Sequence, residues 1–125
     1  MPFDPATTLL VVGRLLLGGL FAFAGVRHMF LIPVLTQAIA ARGVPFPRLV
    51  LLAGSSFEFA CGVLLIAGLW GPAAAFGLIV FTIAASIVLL NFWDMEGDAR
   101  FNTMNAWLSN IAVMGGLMVT AAQAL

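Results

Sequence analysis

A single carboxyl group stands out in the apolar segment at residues 54–62, which reads GSSFEFACG. Glu58 is the only acidic residue between Asp4 and Asp94. An ionised carboxylate is costly in an apolar environment, so Glu58 must either keep its proton or face a polar partner. The sequence therefore makes Glu58 the first candidate for proton exchange or for hydrogen bonding to a ligand.

Four further polar side chains are candidates for a polar core around Glu58. Arg14 and His28 share one face of the first apolar segment, and Asn105 and Asn110 belong to the last one. We expect Arg14 and Asn110 to reach Glu58, with His28 and Asn105 nearer the membrane surface at the mouth of a polar crevice. The five residues are candidate ligand-binding groups, and Glu58 and Arg14 are the candidate catalytic ones.

Two interpretations of Glu58 remain open. In the first, Arg14 and Glu58 form a buried ion pair that fixes the register of two helices without any role in chemistry. In the second, Glu58 exchanges protons or hydrogen-bonds a lipid headgroup or a quinone carbonyl. His28, Asn105 and Asn110 have structural alternatives as well, as an interfacial anchor and as interhelical hydrogen-bonding groups.

The residue inventory narrows the cofactors that the chain can bind. One cysteine and one histidine exclude a dithiol pair and bis-histidine haem ligation within the chain, and Cys61 alone cannot complete a zinc site. We find no flavin or phosphate-loop motif, and a net charge of zero gives nucleic acid no basic patch to bind. A quinone, whose carbonyl Glu58 could hydrogen-bond, is not excluded by this inventory.

The elements that position these residues follow from composition. The chain is 63% hydrophobic and only 8% charged, too few charges for a water-exposed surface, so its exterior must face lipid. Apolar segments at about 7–30, 48–70, 73–93 and 103–124 are each long enough to cross a bilayer. We predict an all-α polytopic membrane protein, a single domain over residues 1–125 that forms a bundle of four transmembrane helices.

The connection between the first two spans has its own pattern. Residues 31–43 are too few to cross a bilayer but are mildly amphipathic, which predicts a short interfacial helix. Four of the five arginines fall on the side of this connection and of the connection at 94–102: Arg27, Arg42, Arg48 and Arg100. The positive-inside rule then places these connections in the cytoplasm and both termini outside.

Five segments carry a family resemblance, in this order along the chain: GRLLLGGLFAFAGVRHMF, ARGVPFP, FEFACGVLLIAGLW, NFW and NAWLSNIAVMGGLM. With these segments the chain resembles the DoxX family of small four-helix bacterial membrane proteins. The resemblance implies a location in the bacterial inner membrane and picks out Arg14, Glu58, Asn110 and the glycines at 115–116. Family members often carry histidine where this chain has Asn91 and lysine where it has Ser109.

The resemblance also implies a functional context. The family is associated with terminal oxidase and thiosulfate:quinone oxidoreductase components, so it implies an accessory role in quinone-linked or oxidative-stress redox chemistry beside a cofactor-bearing partner. If the chain is an enzyme, the resemblance implies an oxidoreductase subunit without a redox cofactor of its own, with quinone as a possible cofactor. The alternative is a non-enzymatic assembly factor or a lipid- or small-solute-binding protein. Membrane lipid is an expected partner in both cases, and a redox enzyme or a second copy of the chain is a further one.

Overall fold

The chain folds into helices throughout the part that the structure, a computed structural model, describes. Residues 4–125 are described, so the first three residues of the predicted domain lie outside this range. Within it there are five α-helices, a short 3-10 helix at Phe92–Asp94 and no strand. The α-helices are α1 (Pro5–Met29), α2 (Ile32–Ala41), α3 (Pro47–Ala67), α4 (Gly71–Leu89) and α5 (Gly97–Gln123). The all-α prediction is confirmed.

Three helical segments of the described range are long and apolar enough to cross a membrane: Pro5–Met29, Pro47–Ala67 and Gly71–Asp94. They match the first three predicted spans to within a few residues at each end. The fourth long helix, α5, has 27 residues but is more polar, since its first half contains Asp98, Arg100 and several asparagines. α5 is therefore not among the segments that are both long enough and apolar enough to cross a membrane.

Proline and glycine set most helix boundaries, as the sequence breakers predict. A proline occupies the first turn of each of the first four helices. Backbone N–H groups in the first turn have no acceptor within the helix, so proline, which lacks this group, is tolerated there. Gly68 ends α3 in the left-handed conformation, with φ of 74°. α5 begins earlier than predicted, at Gly97 and not near residue 103, because Asp98 in its first turn favours the positive end of the helix dipole.

Asp4 caps α1. Its side chain accepts a hydrogen bond from the backbone N–H of Thr7 at 2.6 Å, which satisfies one of the free donors at the helix start. This bond, which stabilises the charged carboxylate, holds the pKa of Asp4 below its usual value of 3.8.

The long helices pack in a cycle. α1 lies mainly against α3 and α4 mainly against α5, while α3 also contacts α4 and α5 contacts α1. The side chains of Leu65, Leu78 and Leu117 are fully buried where α3, α4 and α5 meet. α2 packs on α3, with Ile39 as its buried residue.

The outer surface of the helices is apolar. Leu9, Phe23, Val80 and Val119 are each more than 60% exposed, and many other large apolar side chains are exposed with them. Exposed apolar area of this extent is typical of a lipid-facing surface and not of a water-facing one.

Candidate functional site

Glu58 faces the interior, as its position among small residues predicts. The residue is 4% exposed and belongs to a buried stripe of α3 that also contains Ser55, Cys61 and Gly62. Across from it, the small-residue face of α1 contributes Gly18 and Gly25. The stripes predicted on the two helices therefore face each other, and Glu58 lies between them.

Glycine permits this close approach. A methyl group on Gly62 would lie 2.6 Å from the backbone nitrogen of Ala22 and from the carbonyl oxygen of Gly18. A methyl group on Gly25 would lie 2.8 Å from the carbonyl oxygen of Ser55. Both distances are below van der Waals contact, so the two helix backbones touch at positions that only glycine can occupy. These contacts fix the axial register of α1 against α3.

The partner of Glu58 is His28. Its Nδ1 lies 3.1 Å from Oε2 of Glu58, with the histidine side chain 29% exposed and the carboxylate side chain 5% exposed. The distance lies in the hydrogen-bond range, but the pair does not meet the geometry of a hydrogen bond, and Oε2 has no hydrogen-bond partner among residues 4–125. A half-buried imidazole and a buried carboxyl group therefore lie next to each other.

The predicted pairing of Arg14 with Glu58 is wrong. The guanidinium group of Arg14 lies beside Gly68, where a methyl group would be 3.0 Å from Nη1. Gly68 and Glu58 are separated by about 15 Å along the axis of α3 at 1.5 Å per residue. The α1–α3 register places Arg14 at the end of α3 and His28 beside the carboxylate of Glu58. His28, which we expected nearer the membrane surface, therefore lies where Arg14 was expected.

The asparagines of α5 are also apart from Glu58. Asn110 donates a hydrogen bond from its side-chain amide to Oγ of Ser86 on α4 at 2.9 Å, so it joins two helices. Asn105 is exposed. The inward face of α5 is defined by Leu117 and Ala121, and Asn105 lies about 140° from Asn110 at 100° per residue.

An apolar pocket of about 230 Å³ adjoins His28. Its walls come from α2, α3 and α4, and besides His28 the polar side chain that lines it is Ser55. Oγ of Ser55 is buried and has no hydrogen-bond partner in the described range. The other lining residues are Leu35, Ile39, Val44, Val50, Leu51, Gly54, Phe81, Ala84, Ala85, Val88 and Leu89.

Arg42 is a structural residue that the sequence reasoning used only for orientation. Its Nε donates to the carbonyl oxygen of Val88 at 2.9 Å and its Nη2 to that of Ile87 at 3.3 Å. Nη1 lies 3.5 Å from Oδ2 of Asp94, which also accepts a hydrogen bond from Asn91. Arg42 thus satisfies carbonyls at the end of α4 and holds α2 over the pocket. Only its position just after a short helix hints at this role.

These features define the class of protein: an all-helical integral membrane protein with a buried acidic residue. The sequence profile described as DoxX matches residues 9–91, more than half of the chain, and the chain belongs to the DoxX family. It is also 26% identical over 114 residues to the inner membrane protein YphA of Escherichia coli (strain K12), an alignment that covers 90% of this chain and 81% of that protein. No solved structure matches the chain.

Proposed function

We propose that the chain is an accessory subunit of membrane redox chemistry that binds the ring of a quinone beside His28. The redox cofactor belongs to a partner protein, because the chain offers no dithiol, haem ligand pair or flavin motif. The observation that carries the proposal is the apolar pocket at His28, with Glu58 behind the imidazole ring at 3.1 Å.

The chemistry of the pocket suits a quinone. A quinone ring is flat and apolar with two carbonyl oxygens that accept hydrogen bonds, and this pocket is apolar with His28 and the unpartnered hydroxyl of Ser55 as donors. Its volume of about 230 Å³ is below the common range for drug-sized ligands, roughly 300–1,000 Å³. A single ring fits this space, and a long isoprenoid tail would have to leave it toward the lipid.

Glu58 would orient the imidazole ring of His28. With Nδ1 facing the carboxylate, Nε2 is the nitrogen left for a ligand. In this account Glu58 acts through His28 and has no contact with the ring.

The proposed membrane arrangement has four transmembrane helices, with α2 in the interface. α5 would cross the bilayer because its 27 residues span about 40 Å at 1.5 Å per residue, and because Asn110 bonds Ser86 within the apolar region. α2, with 10 residues, is too short to cross and would cover the pocket from the side of the arginine-rich connections.

Orientation follows from those arginines, with both termini outside the cytoplasm of the bacterial inner membrane. Fusions at Leu125 test it. We expect alkaline phosphatase fused there to be active and a cytoplasm-dependent fluorescent protein to be dark. The opposite pair of results would reverse the orientation.

Quinone content tests the function directly. We would purify the protein in mild detergent from quinone-containing bacterial membranes and quantify the extracted quinone per chain by chromatography. His28→Phe removes the donor, and Ala85→Leu narrows the pocket from α4. Each variant should lower the quinone content about tenfold, the value of one hydrogen bond or of a comparable steric loss.

Matched controls lie on the same helices. Arg27→Gln changes the exposed neighbour of His28, and Ala73→Leu adds the same side chain at an exposed position of α4; both should retain the wild-type quinone content. Equal quinone content in all variants, or none in the wild type after added decylubiquinone, would refute quinone binding. Affinity purification should recover an oxidoreductase with its own cofactor, whereas recovery of assembly proteins alone would support the non-enzymatic alternative.

A further inference from the structure

A second cleft lies between α1 and α5, at the opposite end of α1 from His28. It has a volume of about 380 Å³, and among residues 4–125 Arg14 is the charged residue that lines it. Leu9, Leu10, Leu17 and Val119 form apolar walls, and Thr120 and Gln123 add polar groups from α5. This cleft shares no lining residue with the proposed quinone pocket.

Arg14 forms no ion pair in the described part of the chain. Its Nε is buried without a hydrogen-bond partner, and no carboxylate of residues 4–125 lies within ion-pair distance. The chain has five acidic side chains, and Met1–Phe3 contribute none of them. Asp4, just before α1, is the nearest of them in sequence to Arg14. It is about 15 Å from Arg14 along the helix axis, and its side chain caps α1 by accepting a hydrogen bond from the N–H of Thr7. The others are Glu58, which faces His28, and Asp94, Glu96 and Asp98, which precede α5 or begin it.

The end of α3 compensates Arg14 only in part. The guanidinium group lies beside Gly68 at this end, where the helix dipole is equivalent to a charge of about −0.5. The carbonyl oxygens of Leu64 and Leu65 already accept hydrogen bonds from Leu69 and Gly68. Much of the positive charge and the directional N–H donors of Arg14 therefore remain available to an external anion.

We propose that this cleft binds one anionic phospholipid, with the phosphate on Arg14 and an acyl chain along the apolar walls. Guanidinium donates paired hydrogen bonds to phosphate oxygens. Gln123 supplies a further amide donor at the mouth of the cleft, while Thr120 donates to the carbonyl oxygen of Gly116 and keeps its lone pairs free. A zwitterionic headgroup has its own ammonium group and would leave Arg14 less well neutralised.

The depth of Arg14 agrees with a headgroup ligand. Side chains of an α-helix tilt toward the N-terminus, which brings the guanidinium group of Arg14 toward the start of α1. It arrives at Gly68, next to the short turn between α3 and α4. A turn between two membrane-crossing helices lies in the headgroup region, which is where lipid phosphates are found.

Lipid titration followed by native mass spectrometry tests the proposal. We would delipidate the detergent-purified full chain and titrate it with phosphatidylglycerol, with phosphatidylcholine of the same acyl chains, and with inorganic phosphate. The wild type should bind one phosphatidylglycerol preferentially. Arg14→Gln should weaken this binding about tenfold, the loss of a charged hydrogen-bonding partner, while Arg27→Gln, which removes an equal charge from an exposed position of α1, should not.

A second variant leaves Arg14 intact. A side chain added at Gly13 meets no atom within 4 Å, and Gly13 lines the cleft, so Gly13→Leu should fill the lipid space without distorting the fold. Gly19→Leu is the matched control, because Gly19 is equally open and lies outside the cleft. Gly13→Leu should lower phosphatidylglycerol binding, and Gly19→Leu should not.

Three results would overturn the proposal. Equal lipid binding by Arg14→Gln and Arg27→Gln would show that Arg14 does not hold the phosphate. Full competition by inorganic phosphate would identify a small-anion site and not a lipid site. A dimer that dissociates in Gly13→Leu but binds no lipid would show that a second copy of the chain occupies the cleft.

Discussion

Nδ1 of His28 and Oε2 of Glu58 lie 3.1 Å apart across the contact between α1 and α3. Backbone contacts at Gly18, Gly25 and Gly62 hold the two helices in the register that brings these residues together. Because glycine lets the helices touch, a small axial shift of α1 would carry His28 past the carboxylate. The distance between His28 and Glu58 therefore depends directly on the axial register of α1 against α3.

The first prediction concerns the glycine contact itself. Gly62→Ala places a methyl group 2.6 Å from backbone atoms of α1, so the helices must separate, and we expect the free energy of unfolding to fall by about 1–3 kcal/mol. Gly19→Ala is the control, because its methyl group meets nothing within 4 Å. Denaturant titration in detergent micelles measures both. Equal stability of the two variants would contradict the close approach of α1 and α3.

The second prediction separates the two asparagines of α5. Asn110→Ala removes a hydrogen bond to Ser86 on α4 and should lower the free energy of unfolding by about 0.6–1.7 kcal/mol, the range for interhelical hydrogen bonds in membranes. Asn105→Ala changes an exposed residue and should stay within about 0.5 kcal/mol of the wild type. Denaturant titration in detergent micelles measures both variants. A larger loss of unfolding free energy for Asn105→Ala than for Asn110→Ala would show that the Asn105 face of α5 points inward.

The third prediction uses the pH dependence of the cap on α1. The pKa of Asp4 is lowered by the hydrogen bond from Thr7, so the stabilisation is present above the usual value of 3.8 and is lost as the pH falls through the lower pKa of the folded state. The amide of Thr7 should exchange with solvent faster in Asp4→Ala than in the wild type at neutral pH. After correction for intrinsic exchange, the two should converge in strong acid. Identical protection of Thr7 at neutral pH would show that the cap is absent in solution.

Much of the fold could be predicted from the sequence because long apolar segments and proline or glycine breakers are local signals. The spans at Pro5–Met29 and Pro47–Ala67 and the helix at Ile32–Ala41 follow from those signals alone. The early start of α5 was missed because the polar residues after Gly97 look like a loop, although they continue the helix into solvent-accessible turns.

The inward position of Glu58 was predictable, but its partner was not. Small residues at helical spacing show which faces of α1 and α3 meet, and those faces do meet. Whether Arg14 or His28 reaches the carboxylate depends on the axial register, and hydropathy contains no information on a register set by backbone contacts. Hydropathy also could not show that the face of α5 with Asn105 points outward. The residues of α5 that are buried are Leu117 and Ala121.

A pair of double-mutant cycles tests the central claim, that Glu58 pairs with His28 and not with Arg14. The free energy of unfolding would be measured for Glu58→Gln, His28→Gln and Arg14→Gln, and for the two double variants that include Glu58→Gln. We expect a coupling energy of about 1 kcal/mol or more between His28 and Glu58 and less than about 0.5 kcal/mol between Arg14 and Glu58. Strong coupling of Glu58 to Arg14, with none to His28, would contradict the account.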